Sequence, residues 1–297
     1  MGLKIMSKKV AIVSDSTGCL SDKMLKEYHI FTNYLMIVFE TESYQEFKEL
    51  SPEKFVELSN AQKELPSTSQ PAIGVTVELY EKILAEGYDE IVHITLSSTL
   101  SGSYQSAVSA AEMVGSDNIY VYDSKAVTYP QGALAIEAAK LSKAGKDAAE
   151  ILIELEKLQK NLHLTVAIDD MTNLKKGGRV SSIQASLGSL LQIKPILTVT
   201  NEGQIEAVGK VRTFKKAIRL LVDIAKNANL DESYEVGILH VANPEGAQML
   251  RSELQAIYPN VIMHELPLSL VIAVHGGVGA VAVTWIKKAD AILEVRS

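Results

Sequence analysis

Cysteine and tryptophan are almost absent from this chain, which contains one of each among 297 residues. Since Cys19 has no partner within the chain, an internal disulfide is excluded, and the sequence predicts a reducing, cytoplasmic setting. The same scarcity excludes a metal site built from cysteines. The six histidines form no close pair and no His-Glu-x-x-His pattern, so we predict neither a metal nor a cofactor.

Long apolar runs and a large excess of one charge are also lacking. The richest apolar stretch, residues 266–282, is interrupted by proline, serine, histidine and glycine, whereas a membrane-spanning helix needs about 18 or more apolar residues in succession. The N-terminus lacks the apolar core of a signal peptide. The net charge of −7 disfavours nonspecific binding to nucleic acid. We therefore predict a soluble protein with neither an integral membrane segment nor a nucleic-acid partner.

Motifs of nucleotide binding and serine hydrolysis are missing or misplaced. The chain contains no P-loop and no Gly-x-Ser-x-Gly turn. The pattern Gly277-x-Gly279-x-x-Ala282 resembles a dinucleotide-binding loop, but only 18 residues follow Gly279. Because a complete βαβ unit does not fit into that length, we discard this match.

The order of apolar and amphipathic segments predicts the fold class. Short apolar strands alternate with helices through about residue 160, which is typical of βαβ units and a parallel sheet. Beyond residue 162, strand-like segments dominate, and residues 201–203 have the sequence of a tight hairpin. We predict an α/β protein with two domains. Residues 8–161 form a Rossmann-like domain with a parallel sheet, and residues 162–297 form an α+β domain with a mixed or antiparallel sheet.

Single elements follow from apolar runs and capping residues. Ser21 and Ser51 stand where helix N-caps are expected, and Pro52 suits a first helical position. A further helix is predicted at 183–190. Strands of the first domain are predicted at 9–13, 34–39, 90–96 and 119–122.

Four short polar clusters interrupt the apolar segments and are the main candidates for function. They cover residues 67–71, 97–106, 123–125 and 275–279; three are rich in hydroxyls, and the fourth places His275 before glycines. Since ligands of open α/β sheets bind at the carboxyl ends of the strands, we expect the clusters at strand ends to converge there. Hydroxyls and one imidazole suit the binding of a small anionic head group without its conversion. Taken singly, each hydroxyl cluster also fits helix capping, and His275 also fits a core position.

Two other interpretations remain open at this point. Ser98 and His275 could supply the nucleophile and the base of a serine acyl hydrolase, which predicts a stable fluorophosphonate adduct at Ser98. The basic segments 175–179 and 210–216 are typical of a solvated charged face, and they also suit a small phosphorylated metabolite or a partner protein.

Six motifs occur along the chain in a characteristic order and spacing. They are Asp15-Ser16-Thr17, Thr68-Ser69-Gln70-Pro71, the segment 96–107, Asp123-Ser124-Lys125, the segment 174–179 and His275-x-Gly277. In this arrangement the chain resembles the DegV family, from about Lys9 to Lys287. That family consists of bacterial fatty-acid-binding proteins. Those characterised are the fatty-acid-binding subunit of fatty acid kinase, and they present the bound carboxylate to a separate ATP-using kinase subunit.

The resemblance implies a long-chain fatty acid as ligand, in a tunnel between and within the two domains. Thr68, Ser98 and His275 would hydrogen-bond its carboxylate, with Ser69 and Ser97 as adjacent candidates. The chain would have no catalytic activity of its own.

The resemblance also implies a surface for the kinase subunit. Lys176, Arg179 and Arg212 would be exposed near the pocket mouth, where they contact the partner or the acyl phosphate, and neither arginine would line the tunnel. The loop after His275 departs from the family pattern. Many members read His-Thr-Gly-Pro-Gly, so Gly276 and Val278 replace a hydroxyl and a proline.

Overall fold

The computed structural model describes residues 8–169, 171–179 and 193–288, with the backbone alone at positions 171, 175 and 176. Three sheets of four, six and three strands organise these residues. The predicted α/β class is confirmed, since the first sheet is parallel and the second is mixed. The helix predicted at 183–190 lies outside the described residues. Of the helices within them, none has the length and apolar character needed to cross a membrane.

The helices and strands fall into two stretches of chain. The first has strands β1 (Val10–Asp15), β2 (Ile30–Asn33), β3 (Met36–Val38), β4 (Ser43–Gln45), β5 (Ser67–Ser69), β6 (Glu90–Thr95) and β7 (Ile119–Asp123). Its helices are α1 (Asp22–Tyr28), α2 (Pro52–Ala61), α3 (Ile73–Ala85), α4 (Ser103–Val114), α5 (Tyr129–Lys143) and α6 (Ala148–Gln159). The second has strands β8 (Leu162–Ala167), β9 (Lys194–Val199), β10 (Ile205–Val211), β11 (Tyr234–His240), β12 (Ile262–Pro267) and β13 (Val281–Lys287). Its helices are α7 (Met171–Gly177), α8 (Phe214–Asn227), α9 (Pro244–Ile257) and α10 (Leu270–Gly276).

Capping side chains set the starts of α1 and α2 as predicted. The Ser21 hydroxyl accepts a hydrogen bond from the Met24 N–H at 3.3 Å, and the Ser51 hydroxyl accepts one from the Lys54 N–H at 3.2 Å. Each bond satisfies an N–H group that has no partner inside its helix. Pro52 occupies the first helical position, where a missing N–H costs nothing.

The four-stranded sheet has the order β2-β1-β6-β7, and all its strands are parallel. Val10 and Ile12 pack against α5 and α6, whereas Ala11 and Val13 pack against α3 and α4. Because helices cover both faces, every residue of β1 and β6 is buried, which is why apolar residues follow one another directly at 10–13 and at 91–92. Strands β1, β6 and β7 end at one edge, as predicted.

The six-stranded sheet has the order β10-β9-β8-β13-β11-β12, and only β11 and β12 are parallel. Residues of this sheet face two apolar cores on its opposite sides. Ala167 and Ile196 pack with α8 and α9, whereas Leu164 and Leu197 face the second core, which we call the central core. The hairpin predicted at 201–203 joins β9 to β10 and is closed by a 2.8 Å backbone hydrogen bond from Thr200 to Gln204.

The three-stranded sheet, with the order β4-β3-β5, was not predicted. A single strand was expected at 34–39. Strand β2 ends before this range, and only the three residues of β3 lie within it. In this sheet Thr68 of β5 is paired with Ile37 of β3. Strands of three residues are too short for an alternating pattern to be recognised, and the partners of β3 are set by tertiary packing.

Helix α10 was also not predicted, since residues 270–274 form an uninterrupted apolar run without helical periodicity. All faces of this helix are apolar because the helix lies inside the central core, where it packs with residues that include Leu35 and Leu164. The Ser269 hydroxyl caps the helix by accepting a hydrogen bond from Ile272 N–H. Gly277 ends it with a φ of 86°, in the range that favours glycine.

Candidate ligand-binding site

A cavity of about 880 Å³, including its open mouth, lies beside the central core. The apolar lining residues come from the edge of the first sheet, from strands β8 to β10, from α7 and from α10. They are Leu35, Leu96, Leu100, Val127, Leu164, Val166, Ile168, Leu174, Leu197, Val199, Ile205, Val271 and Ile272.

The polar lining residues include two that are hydrogen-bonded to each other. Thr68 Oγ1 lies 2.9 Å from His275 Nε2, and this bond joins β5 to the last turn of α10. Ser69 follows Thr68 in β5 and also lines the cavity. The structure therefore brings together three of the five residues predicted to bind a carboxylate, namely Thr68, Ser69 and His275.

The imidazole of His275 is held neutral. Burial lowers its pKa to about 4, and the nearby Arg179 guanidinium acts in the same direction. When Nε2 carries the proton, it donates to Thr68 Oγ1, and the Thr68 hydroxyl proton remains available for a ligand. Nδ1 is buried and has no hydrogen-bond partner among the described residues. In this tautomer the pair offers one donor, the Thr68 hydroxyl, to an anion without placing a cation on it.

Glycines allow the backbone to approach this imidazole. A Cβ on Gly177 would lie 2.5 Å from His275 Nδ1, so only glycine fits at the end of α7. A Cβ on Gly276 would lie 3.1 Å from Ile168 Cδ1, a cavity-lining atom. Position 276, where this chain has glycine in place of the usual threonine of the family, is thus a place where the backbone lies close to the cavity lining. Gly279 has a φ of 95°, and its carbonyl accepts a 2.8 Å hydrogen bond from Asn243 Nδ2.

Ser97 and Ser98 do not line the cavity. Ser97 is buried, and its hydroxyl donates to the Gly203 carbonyl at 2.9 Å. Ser98 is exposed, and its hydroxyl donates to Asp123 Oδ2 at 2.5 Å. The turn after β6 therefore directs both hydroxyls to neighbouring loops, which corrects the expectation that they adjoin Thr68 and His275. It also separates Ser98 from the base that a hydrolase would require.

The predicted basic residues occupy different places. Arg179 is exposed and also lines the cavity, which corrects the expectation that neither arginine would do so. Its guanidinium donates to the Gly177 carbonyl at 3.1 Å. Arg212 is exposed after the end of β10 and is not a lining residue. Lys176 belongs to α7, and its side chain lies outside the described residues.

Three further polar residues of the lining were missed by the sequence analysis. Gln70 and Ser101, which lie in motifs given above, border the cavity, and so does Thr198 of β9. A Cβ on Gly102 would lie 2.9 Å from Gln70 Oε1, so this glycine leaves room for the amide. The available signal for Gln70 was its position directly after Thr68 and Ser69. Because successive side chains of a strand alternate in direction, the position alone did not show that Gln70 also lines the cavity.

The lining chemistry suits an anion with a long apolar part. Among the described residues it contains hydroxyls, an amide, an imidazole and one guanidinium, but no aspartate or glutamate. Within the part of the chain that the structure describes, no group of three or more histidine, cysteine, aspartate or glutamate side chains is placed to hold a metal ion. A cavity of this kind can take an acyl chain along its walls and a carboxylate at its hydrogen-bond donors.

Comparison with known proteins identifies the family. The model of the family described as "Uncharacterised protein, DegV family" matches residues 9–288. The chain belongs to the DegV family. It is 37% identical over 284 residues to a DegV domain-containing protein of Listeria innocua, covering 94% of this chain and 99% of the relative. It is 38% identical over 278 residues to protein DegV of Bacillus subtilis, covering 93% and 98% of the two chains.

Solved structures of DegV proteins have the same fold. The crystal structure of DegV from Bacillus subtilis, described as a fatty acid binding protein, superposes with a TM-score of 0.84 at 39% identity, over 95% of this chain and 100% of that one. A DegV family protein from Thermus thermophilus, described by its fatty acid binding, superposes with a TM-score of 0.86 at 27% identity, over 94% and 99% of the two chains. Fatty acid binding is therefore described for both of these DegV proteins, which share this architecture.

Proposed function

We propose that this DegV protein binds a long-chain fatty acid, with the acyl chain in the apolar cavity and the carboxylate at Thr68, Ser69 and His275. The observation that carries the proposal is an apolar cavity whose lining includes an uncharged, hydrogen-bonded pair, Thr68 and His275, with 2.9 Å between Oγ1 and Nε2. The fatty acid binding described for the Bacillus subtilis relative supports the same ligand class.

Burial of the acyl chain supplies the affinity. Each methylene transferred from water contributes about 0.8 kcal/mol, so some 14 methylenes give roughly 11 kcal/mol before the costs of ordering and association. An unpaired carboxylate in the same cavity would cost several kcal/mol, and hydrogen bonds from the Thr68 and Ser69 hydroxyls, the first of them oriented by His275, offset that cost.

Presentation of the carboxylate to a separate kinase subunit is the second part of the proposal. Neutral donors bind a carboxylate less tightly than a lysine or arginine in direct contact would, and they leave one oxygen free for phosphorylation. Arg179, at the cavity lining, and the exposed Arg212 would contact the partner or the acyl phosphate. In this role the protein itself performs no catalysis.

The hydrolase alternative lacks its catalytic pair. Ser98 forms its side-chain hydrogen bond with Asp123, and His275 forms its own with Thr68. Stable labelling of Ser98 by a fluorophosphonate would nevertheless reinstate the alternative, and we expect none.

Lipid extraction and native mass spectrometry of the purified protein test the ligand class. We expect a mass addition equal to one fatty acid, together with rebinding of oleate or palmitate after delipidation. A delipidated, folded protein that binds neither at micromolar concentration would overturn the proposal. The His275→Asn variant should lose affinity, whereas His29→Asn, at an exposed helix end, should not.

A further inference from the structure

Glu46 is a fully buried acidic residue outside the cavity lining, and the binding of a fatty acid does not by itself explain it. Its side chain has no solvent exposure. The carboxylate accepts hydrogen bonds from Ser16 Oγ at 2.6 Å, from Ser269 Oγ at 2.5 Å and from the Val271 N–H at 3.0 Å. Buried carboxylates are rare unless their oxygens are paired in this way.

These partners lie at the N-terminal end of α10. Ser269 is the N-cap of the helix, and Val271 is its second residue. The favourable interaction of a negative charge with the free N–H groups of a helix start adds to the direct hydrogen bonds. His275 lies in the last turn of the same helix, so the position of the helix start determines where its imidazole lies.

The other end of α10 is held by the same small sheet. Glu46 directly follows β4, and its own N–H donates to the Leu35 carbonyl at 2.9 Å. Strand β3 pairs with both β4 and β5, and β5 carries Thr68, which bonds His275. The β4-β3-β5 sheet thus contacts α10 at its start through Glu46 and at its last turn through Thr68.

We infer that Glu46 is a positioning residue for the ligand site, holding α10 so that the His275 imidazole faces Thr68 and the cavity. The inference rests on the proposed function for its effect on affinity, but its geometric part concerns the protein without ligand. A carboxylate suits this place because all three partners are donors, whereas a glutamine presents one acceptor oxygen and one donor group to them.

An alternative is that Glu46 only stabilises the core. In that case its replacement would lower the free energy of unfolding and leave the imidazole of the folded protein unchanged. NMR signals of the His275 ring report on the imidazole directly, through their chemical shifts and their titration, and they need no ligand.

The test compares Glu46→Gln and Ser269→Ala with the control Glu81→Gln, an exposed glutamate of α3. In folded, ligand-free protein, we expect the first two variants to change the His275 ring shifts and to raise its titration midpoint above the value of the unmodified chain. We expect at least a fivefold loss of oleate affinity in both variants, and no change in either property for the control.

Failure of the positioning role and failure of the proposed function give different results in this test. Folded Glu46→Gln and Ser269→Ala variants with unchanged His275 signals would overturn the positioning role, whatever the ligand. An unmodified chain that binds no fatty acid would overturn the proposed function, while the ring signals would still decide the role of Glu46. Should Glu46→Gln fail to fold, Ser269→Ala leaves two of the three hydrogen bonds to Glu46 in place, although it also removes the N-cap bond to Ile272, and it provides the same measurement.

Discussion

Gly177 lies directly against the imidazole of His275, where a Cβ would stand 2.5 Å from Nδ1. The end of α7 and the last turn of α10 therefore meet at a position that accepts no side chain. On its other edge the imidazole is bonded to Thr68. The ring is thus held between a backbone and a hydroxyl, which fixes its orientation toward the cavity.

Replacement of Gly177 by alanine tests this contact. The added methyl group must displace either the imidazole or the end of α7, so we expect at least a tenfold loss of fatty acid affinity in isothermal titration. Gly74→Ala is the matched control, since a Cβ there meets no atom within 4 Å. Alanine in place of this helical glycine should stabilise the protein by about 0.5–1 kcal/mol and leave affinity unchanged. Equal affinities of the two variants would contradict the contact.

The hydroxyl of Thr68 gives the second prediction. Thr68→Val keeps the shape of the side chain and removes the donor, so a buried carboxylate loses a hydrogen bond. That loss costs about 1–3 kcal/mol, or roughly 5- to 150-fold in affinity. Thr68→Ser retains the hydroxyl and should bind within a few-fold of the unmodified chain. If valine and serine variants bind equally well, the hydroxyl does not contact the carboxylate.

The sequence predicted the parts of the fold that depend on local signals. Strand β1 was recognised because both faces of its sheet are covered, and α2 because Ser51 and Pro52 mark its start. It did not predict β5 or α10, since the pairing of Thr68 with Ile37 and the burial of α10 are decided by contacts distant in sequence.

For the candidate site, the sequence predicted which residues belong to it better than how they contact one another. Thr68 and His275 were identified by motif, but their 2.9 Å contact spans 207 positions and no local pattern encodes it. Ser98 was placed in the site by the family resemblance, and its cluster was expected there because it follows a strand end at the ligand edge. Strand-end position gives no direction for a side chain in the following turn, and Asp123 is the partner within reach. Glu46 carried no recognisable signal, since its surroundings come from three separate segments.

The lowered pKa of His275 predicts how stability depends on pH. The unfolded chain binds a proton at this residue near pH 6.5, whereas the folded protein does so near pH 4. Between these values the unfolded state holds more protons, so the stabilising contribution is complete above pH 6.5 and is lost as the pH falls to about 4. The loss amounts to about 3 kcal/mol.

Urea unfolding of the unmodified chain and of His275→Asn between pH 4 and pH 7 measures this contribution. The difference in the free energy of unfolding between the two proteins should change by about 3 kcal/mol across the window. His163, whose pKa burial also lowers to about 4, is present in both proteins and cancels in the difference. A difference that is constant with pH would show that His275 titrates normally in the folded state.

The last prediction separates ligand binding from docking of the kinase subunit. Arg212 is exposed and does not line the cavity, so Arg212→Ala should leave fatty acid affinity nearly unchanged. If Arg212 contacts the partner or the acyl phosphate, phosphorylation of the bound fatty acid should fall about tenfold or more, because a charge-assisted hydrogen bond contributes about 1.5–3 kcal/mol. The rate for the unmodified protein should also decline with added salt, since exposed charges are screened over about 8–10 Å at physiological ionic strength. Arg219→Ala, at an exposed arginine of α8, is the control and should retain the full rate. An Arg212→Ala variant with full kinase activity, or one that loses fatty acid affinity instead, would show that docking and ligand binding are not divided between these two surfaces.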